Sequence, residues 1–161
     1  MLIYLTPGDF FVSQHGQLSN KINGYSVVFF SSSNCVYCRN IMPSFVQLSR
    51  SLQGCTFGLM NVDQDGQKIV ALSAQSQNRL EYVPYILFYV NGVPYAEFNP
   101  DENTPSANYE LLKKFLIDTT ASVKSQLNRD PSEPISIYSI GIPGNKKKVC
   151  YLTYEKAYTK S

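Results

Sequence analysis

One stretch near the N-terminus constrains the fold more than any other: a short apolar segment, a polar break, and a helical pattern that opens with two cysteines. Residues 26–30 form a β-branched and aromatic run, which predicts a buried strand. Three serines and an asparagine interrupt this run, and Cys35-Val-Tyr-Cys38 follows. Apolar residues then recur at helical spacing as far as Leu52. The sequence therefore places two thiols on the first turn of a helix, directly after a central strand.

This placement favours thiol chemistry. Unpaired backbone N–H groups and the positive end of the helix dipole stabilise a thiolate at Cys35. Cys38, one turn later, can resolve a mixed disulfide that Cys35 forms. The same spacing also occurs in half of a zinc site, but a zinc knuckle needs a second close pair, and Cys55 and Cys150 are far apart in the sequence. We therefore expect neither a metal nor a cofactor.

Composition and charge narrow the class of protein. The chain has 161 residues, 43% of them hydrophobic, which suffices for one globular domain with a proper core. A net charge of +2 gives no reason to expect nucleic acid or a membrane as a partner. The N-terminus lacks the basic region of a signal peptide, and no apolar run reaches transmembrane length. We expect an intracellular, cytoplasmic protein, not secreted, whose disulfides are catalytic; a Cys55–Cys150 bridge stays open as an alternative.

The remaining sequence predicts alternating strands and helices. Asn91-Gly92, between two apolar runs, predicts a β-hairpin. Apolar residues of a long C-terminal helix form a stripe of Leu111, Leu112, Phe115 and Leu116, which we expect to be buried. The other predicted elements are a strand over residues 2–5, a helix capped by Asp9 and running towards Asn20, a strand over 55–62, a helix over 67–75 and the long helix over 109–127.

Strand, Cys-x-x-Cys and helix in this order resemble the thioredoxin superfamily over residues 1–127. The resemblance implies an α/β, thioredoxin-like three-layer fold with a mixed central sheet flanked by helices. It further implies thiol–disulfide exchange on protein cysteines, with Arg39 matching a basic residue that adds positive potential beside the pair. Val83-Pro84 resembles the superfamily's cis-proline site, the alternative being an ordinary trans-proline at a strand start. A cis Pro84 implies that the backbone at Val83 faces Cys35 and Cys38, where a peptide can add as a strand.

Three positions depart from the thioredoxin pattern. Asn34 replaces the tryptophan that usually precedes the first cysteine. Phe29 stands where a buried aspartate is usual, and Leu59 where its lysine partner is usual. In thioredoxins that acid is thought to help move the proton of the resolving thiol, so its loss implies slower or differently tuned exchange.

Residues 128–161 form an extension beyond the predicted domain. Residues 128–134 have the composition of a linker, and residues 135–140 and 149–154 alternate like two strands. A two-stranded unit is not stable alone, so it must pack on the body or on a partner. Residues 129–161 carry 6 basic and 3 acidic side chains, against 8 and 9 in residues 1–128. The run Lys146-Lys147-Lys148 is therefore either a solvated loop or a docking patch.

A narrower resemblance bears on function. Residues 82–95, with Gly141-Ile-Pro and Val149-Cys-Tyr-Leu, resemble thioredoxin-like proteins of large double-stranded DNA viruses of eukaryotes. That resemblance implies packaging in a virion, or cooperation with a sulfhydryl oxidase. Two hypotheses follow: a thiol–disulfide oxidoreductase, or a non-catalytic component of an assembly, such as a minor capsid protein. The first requires Cys35 and Cys38 to be accessible and Pro84 to lie beside them.

Overall fold

The structure, a computed structural model, describes residues 1–100, 107–129, 138–140 and 149–152. Ten strands and three helices are described, together with short 3-10 turns. The helices are α1 (Val36–Ser51), α2 (Lys68–Ser73) and α3 (Asn108–Arg129). The strands are β1 (Leu2–Tyr4), β2 (Phe10–Val12), β3 (Leu18–Asn20), β4 (Tyr25–Ser31), β5 (Cys55–Asn61), β6 (Tyr82–Val83), β7 (Tyr85–Val90), β8 (Val93–Phe98), β9 (Tyr138–Ile140) and β10 (Cys150–Tyr151).

Six strands form a mixed sheet in the order β1-β5-β4-β7-β8-β9. The central strand β4 runs parallel to β5 and antiparallel to β7. Side chains alternate between the two faces of β4. Phe29 packs its ring edge-on against Phe45 of α1, whereas Phe30 on the other face meets Phe10 of β2. The predicted α/β fold with a mixed sheet between flanking layers is confirmed.

A hairpin replaces the helix that we predicted from Asp9 towards Asn20. Strands β2 and β3 pair antiparallel, and Gly16 turns the chain between them at a φ of +78°. Phe10 and Leu18 are buried, whereas Phe11 is exposed, so the apolar residues alternate at strand spacing. The helix prediction is wrong because a glycine in the left-handed region gives the backbone a turn, and the buried side chains then cover one face of the sheet.

The second hairpin and the long helix agree with the sequence. Asn91 and Gly92 both have positive φ, at 50° and 82°, and join β7 to β8. Helix α3 covers the predicted range and buries Leu112, Phe115 and Leu116. Leu111 is 37% exposed, so its assignment to the buried stripe is wrong. No helix in the described ranges is long and apolar enough to cross a membrane.

The two described strands of the extension join the rest of the chain at separate places. Strand β9 adds parallel to β8 at one edge of the main sheet, and β10 pairs antiparallel with β6. A two-stranded unit requires its strands to pair with each other. Within the described residues, β9 and β10 pair with other strands instead. Most of the predicted linker and the run Lys146-Lys147-Lys148 lie outside the described residues. The boundary between residues 127 and 128 stays a prediction.

Candidate thiol–disulfide site

Cys35 lies where β4 gives way to α1, as predicted. It is the N-cap residue of the helix, with φ −95° and ψ 115°. Its carbonyl accepts the first helical hydrogen bond, from the Arg39 N–H at 3.2 Å. Its own N–H donates to the Ser32 carbonyl at 3.3 Å. The polar break after the central strand therefore fixes the Cys35 backbone at the positive end of the helix.

The proline segment lies against Cys35. The Val83–Pro84 peptide bond is cis, as predicted. The Cys35 Sγ atom is 3.7 Å from the Val83 carbonyl oxygen. That sulfur belongs to a disulfide and carries no proton, so the approach is a contact and not a hydrogen bond. The structure thus brings together one cysteine of the pair and the backbone beside Pro84.

Cys35 is joined to Cys150, not to Cys38. The two Cα atoms are 5.9 Å apart, across a sequence separation of 115 residues. Cys38 and Cys55 are free thiols. The alternative Cys55–Cys150 bridge is therefore wrong, and the pairing that occurs was not among our predictions.

The residues around Cys150 form an added strand at the proline segment. Cys150 pairs antiparallel opposite Val83, and the next residue continues the ladder. The Leu152 N–H donates to the Glu81 carbonyl at 3.0 Å. The edge on which we expected a bound peptide is thus occupied by the chain's own extension, with a cysteine bonded to Cys35.

Both cysteines of the motif are closed off from solvent. Cys35 and Cys38 are each 1% exposed. The access that catalysis requires is therefore absent from this arrangement, because the sulfur of Cys35 is bonded to Cys150 and β10 lies on the adjoining edge. The site as described is a closed form of a Cys-x-x-Cys motif.

The buried thiol of Cys38 is a weak acid. Its pKa is raised from 9.0 to about 11, chiefly because burial disfavours the thiolate. A hydrogen bond from the Ser32 backbone lowers the pKa, the charge of Asp63 raises it, and the charge of Arg39 lowers it. Cys38 is thus protonated at neutral pH in the closed form.

Sequence reasoning missed Asp63. Its carboxylate accepts hydrogen bonds from Ser32 Oγ at 2.9 Å and from the Ser33 N–H at 3.3 Å. Arg39 Nη1 donates to the Ser33 carbonyl at 3.0 Å, so two opposite charges hold the loop before Cys35. A signal was available, because β4 and β5 run parallel and the residues that follow them must meet at one edge of the sheet.

Two of the three departures from the thioredoxin pattern, Phe29 and Leu59, are neighbours in the central sheet. Phe29 is fully buried and lies opposite Leu59 in the sheet register. Its ring centroid is 5.3 Å from that of Phe45. These two positions therefore contribute apolar packing where an acid and its lysine partner are usual. Among the described residues, no cluster of three or more His, Cys, Asp or Glu side chains could hold a metal ion.

The raised pKa of Cys38 predicts a steep pH dependence of its alkylation. Only the thiolate reacts, so labelling of Cys38 by iodoacetamide should be slow near neutral pH and accelerate as the pH approaches about 11. The stability of the fold should change in the opposite direction, decreasing over the pH range in which labelling accelerates. The unfolded thiol loses its proton first, so the free energy of unfolding falls as the pH rises from 9.0 to about 11.

Mass spectrometry of tryptic peptides after timed alkylation measures this effect. Trypsin leaves Cys38 in residues 22–39 and Cys55 in residues 51–68. Cys55 is a useful comparison, because burial raises its pKa to about 12. The same chain unfolded in urea supplies the control. Labelling of Cys38 in the folded chain at the unfolded rate near neutral pH would contradict the prediction.

Comparison with known proteins identifies relatives along most of the chain. "Uncharacterized protein 196R" of Invertebrate iridescent virus 6 is 32% identical over 171 aligned positions, which cover 98% of this chain and 93% of the relative. "Uncharacterized protein 020R" of Invertebrate iridescent virus 3 is 38% identical over 145 positions, covering 88% and 84%. These viruses have large double-stranded DNA genomes, so the narrower resemblance predicted from the sequence is confirmed.

Among solved structures, thioredoxin f2 of Chlamydomonas reinhardtii is similar at 21% identity and a TM-score of 0.46, covering 60% of this chain and 82% of that one. Fasciola hepatica thioredoxin is similar at 22% identity and a TM-score of 0.46, covering 61% and 83%. The sequence model of the Thioredoxin family matches residues 11–115, which include Cys35, Cys38 and Pro84. A thioredoxin domain with a disulfide-forming cysteine supports a thiol–disulfide oxidoreductase acting on protein thiols. The chain belongs to the thioredoxin family.

Proposed function

We propose that this chain exchanges disulfides with protein cysteines through Cys35 and Cys38. Cys35 is the attacking thiolate, and Cys38 resolves the mixed disulfide. The substrate segment adds as a strand along β6, next to Val83 and Pro84. Arg39 lies close enough to lower the pKa of the neighbouring Cys38 thiol, and it holds the loop that precedes Cys35.

One observation carries the proposal. A peptide segment with a cysteine lies antiparallel on β6, and that cysteine is bonded to Cys35. This is the arrangement that a substrate requires at the mixed-disulfide stage, with backbone hydrogen bonds for binding and one sulfur for exchange. That the segment belongs to the same chain does not alter the geometry. The edge and the cysteine are thus able to accept a peptide disulfide partner.

The exchange balances in two steps that follow reduction of the site. An external dithiol first reduces the Cys35–Cys150 disulfide to two thiols and is itself oxidised to a disulfide. The Cys35 thiolate then attacks one sulfur of a substrate disulfide, forms a mixed disulfide and releases the other substrate sulfur as a thiolate. Cys38 then loses its proton to solvent and attacks Cys35 Sγ, which releases the second substrate thiolate. The substrate gains two electrons, and the chain ends with a Cys35–Cys38 disulfide. The reverse sequence oxidises a substrate dithiol, and the relative reduction potentials set the direction.

Trapping the mixed disulfide tests these roles. The Cys38→Ser/Cys150→Ser double variant keeps the attacking thiol and lacks both groups that could displace a bound substrate. We expect it to form a stable one-to-one adduct with a peptide whose single cysteine is activated as a thionitrobenzoate disulfide, with release of thionitrobenzoate. The adduct is measured by intact mass.

The matched control is the Cys35→Ser/Cys150→Ser variant, which keeps Cys38 and Cys55. Because Cys38 is buried and its pKa is raised, this variant should form little adduct over the same period. Equal adduct formation by the two double variants would overturn the assignment of Cys35 as the attacking thiolate.

A second candidate is a non-catalytic role in an assembly such as a virion, as a minor capsid protein. Two observations favour it: the relatives belong to viruses, and the motif is closed in this structure. In this case the Cys35→Ser/Cys38→Ser variant should enter purified particles as efficiently as the wild type. In the catalytic case, a sulfhydryl oxidase or capsid proteins are candidate partners, and the same variant should leave their disulfides unformed.

A further inference from the structure

Cys150 lies in the position that the proposed function gives to a substrate cysteine. We propose that Cys150 is a third redox-active cysteine, which forms a disulfide with Cys35 that Cys38 resolves, so that strand β10 alternately occupies and leaves the substrate edge. This inference rests on the proposed function. What it adds is that the chain itself supplies an occupant of the substrate site.

The docked strand has specific contacts besides the disulfide. Leu152 donates its N–H to the Glu81 carbonyl at 3.0 Å, beyond the paired residues Cys150 and Tyr151. The Tyr151 ring meets the Tyr82 ring edge-on, with centroids 6.3 Å apart. The strand is therefore held by backbone pairing and an aromatic contact, as a bound peptide would be.

The Tyr82 side chain is itself held in place by two further contacts. The Tyr82 hydroxyl donates to Glu97 Oε2 at 2.9 Å, and the ring also packs edge-on against Tyr85 at 5.7 Å. Tyr151 remains 72% exposed, so its ring lies on the surface over a fixed partner. An exposed aromatic ring adds contact without burying the strand, which suits a segment that must leave the site again.

The exchange between the two oxidised forms requires no outside reagent. Cys38 loses a proton to solvent, and its thiolate attacks Cys35 Sγ. The Cys35–Cys38 bond forms, the Cys35–Cys150 bond breaks, and Cys150 leaves as a thiolate that takes up a proton. Both forms contain one disulfide and one thiol among these three cysteines, so no electrons are gained or lost. In the first form the edge is closed, and in the second the strand has lost its covalent attachment.

A tethered strand competes with an outside substrate for β6. A strand of the same chain binds intramolecularly, and linked segments reach effective concentrations of the order of millimolar, which an external peptide must exceed. Strand β10 should therefore raise the KM for a protein disulfide and leave kcat nearly unchanged. Cys150→Ser should increase kcat/KM for insulin reduction at least about fivefold.

Disulfide mapping tests the covalent part. After quenching in acid with N-ethylmaleimide, trypsin leaves Cys35 and Cys38 in residues 22–39 and Cys150 in residues 149–156. We expect these two peptides to be linked in monomeric oxidised wild type, and linked nearly completely in Cys38→Ser, which cannot resolve the bond. Cys55→Ser is the matched control and should leave the link unchanged. Absence of the link from both wild type and Cys38→Ser would overturn the proposal.

The kinetic part is tested on the full chain with insulin and dithiothreitol. Leu152→Pro removes the N–H that donates to Glu81 and leaves all cysteines in place, so it should lower the KM in the same direction as Cys150→Ser. A kcat/KM for Cys150→Ser that stays within about twofold of the wild-type value would overturn the competition.

These outcomes separate the two proposals. If wild type and Cys150→Ser both fail to reduce insulin and the trapping variant forms no adduct, the proposed function fails, and the mapping still decides whether Cys150 exchanges with Cys38. If Cys150→Ser reduces insulin and no 22–39/149–156 link is found, the proposed function stands and the role of Cys150 is refuted.

Discussion

Replacing Cys35 by serine is expected to lower the rate of protein disulfide reduction at least about a hundredfold, equivalent to about 2.7 kcal/mol of lost transition-state stabilisation. A hydroxyl cannot form a disulfide, so the variant has no mixed-disulfide intermediate. The remaining thiol of the motif, Cys38, is buried and mostly protonated at neutral pH. Insulin reduction by dithiothreitol, followed by turbidity, measures the loss.

The activities with and without Cys35 are best compared in the Cys150→Ser background, in which β10 cannot close the site through a disulfide. Cys55→Ser in the same background is the matched control and should retain full activity. Cys55 lies at the start of β5, whereas the motif follows the end of β4, to which β5 runs parallel. Retention of more than about a tenth of the activity by Cys35→Ser would show that another group carries the reaction.

Gly92→Ala is expected to destabilise the fold by about 3 kcal/mol or more. A Cβ at this position would clash with the carbonyl oxygen of Asn20, which belongs to the backbone and cannot rotate away. The φ of +82° adds the usual cost of a side chain in the left-handed region. The shift would also disturb the hydrogen bond from the Asn20 N–H to the Gly92 carbonyl, at 2.9 Å. Urea unfolding measures the change.

Gly54→Ala is the matched control. Gly54 has a φ of +87°, but a Cβ there would meet nothing within 4 Å. It should therefore cost only about 1–2 kcal/mol, the conformational part of the effect. The difference between the two variants isolates the contribution of the steric clash between residue 92, in the β7–β8 hairpin, and Asn20. An equal loss of unfolding free energy in both variants would contradict the prediction, because the backbone at Asn20 would then move aside without a measurable loss of stability.

The elements that the sequence predicted well depend on local signals. The apolar run of β4, the polar break and the helical spacing after Cys35 each act within a few residues. Asn91-Gly92 is likewise a local signal, because both residues tolerate positive φ. The cis Pro84 was predicted through the family resemblance, which compares elements far apart in sequence. These features determine most of the fold and the part of the site that lies beside Pro84.

The elements that were missed depend on contacts made after folding. Strands β2 and β3 have three residues each, so their alternation covers too few positions to be recognised in the sequence. Phe10 is buried by packing against Phe30. The Cys35–Cys150 bond spans 115 residues, and nothing near either cysteine indicates its partner. Asp63 belongs to the site because the parallel strands β4 and β5 end side by side, a signal that becomes usable only once the two strands have been paired. Long-range pairing of this kind leaves no periodic trace in a single sequence.

Strand β9 has a consequence for the sheet as a whole. It lies parallel along β8, so the outer backbone of β8 is not left open to another molecule. Unprotected edges invite intermolecular pairing, and an edge strand as short as the three residues of β9 is one of the ways in which proteins avoid this. A truncation of residues 129–161 would therefore uncover two surfaces at once, the β6 edge of the site and the β8 edge of the sheet. Single substitutions at Cys150 or Leu152 open the first and leave the second shielded against self-association.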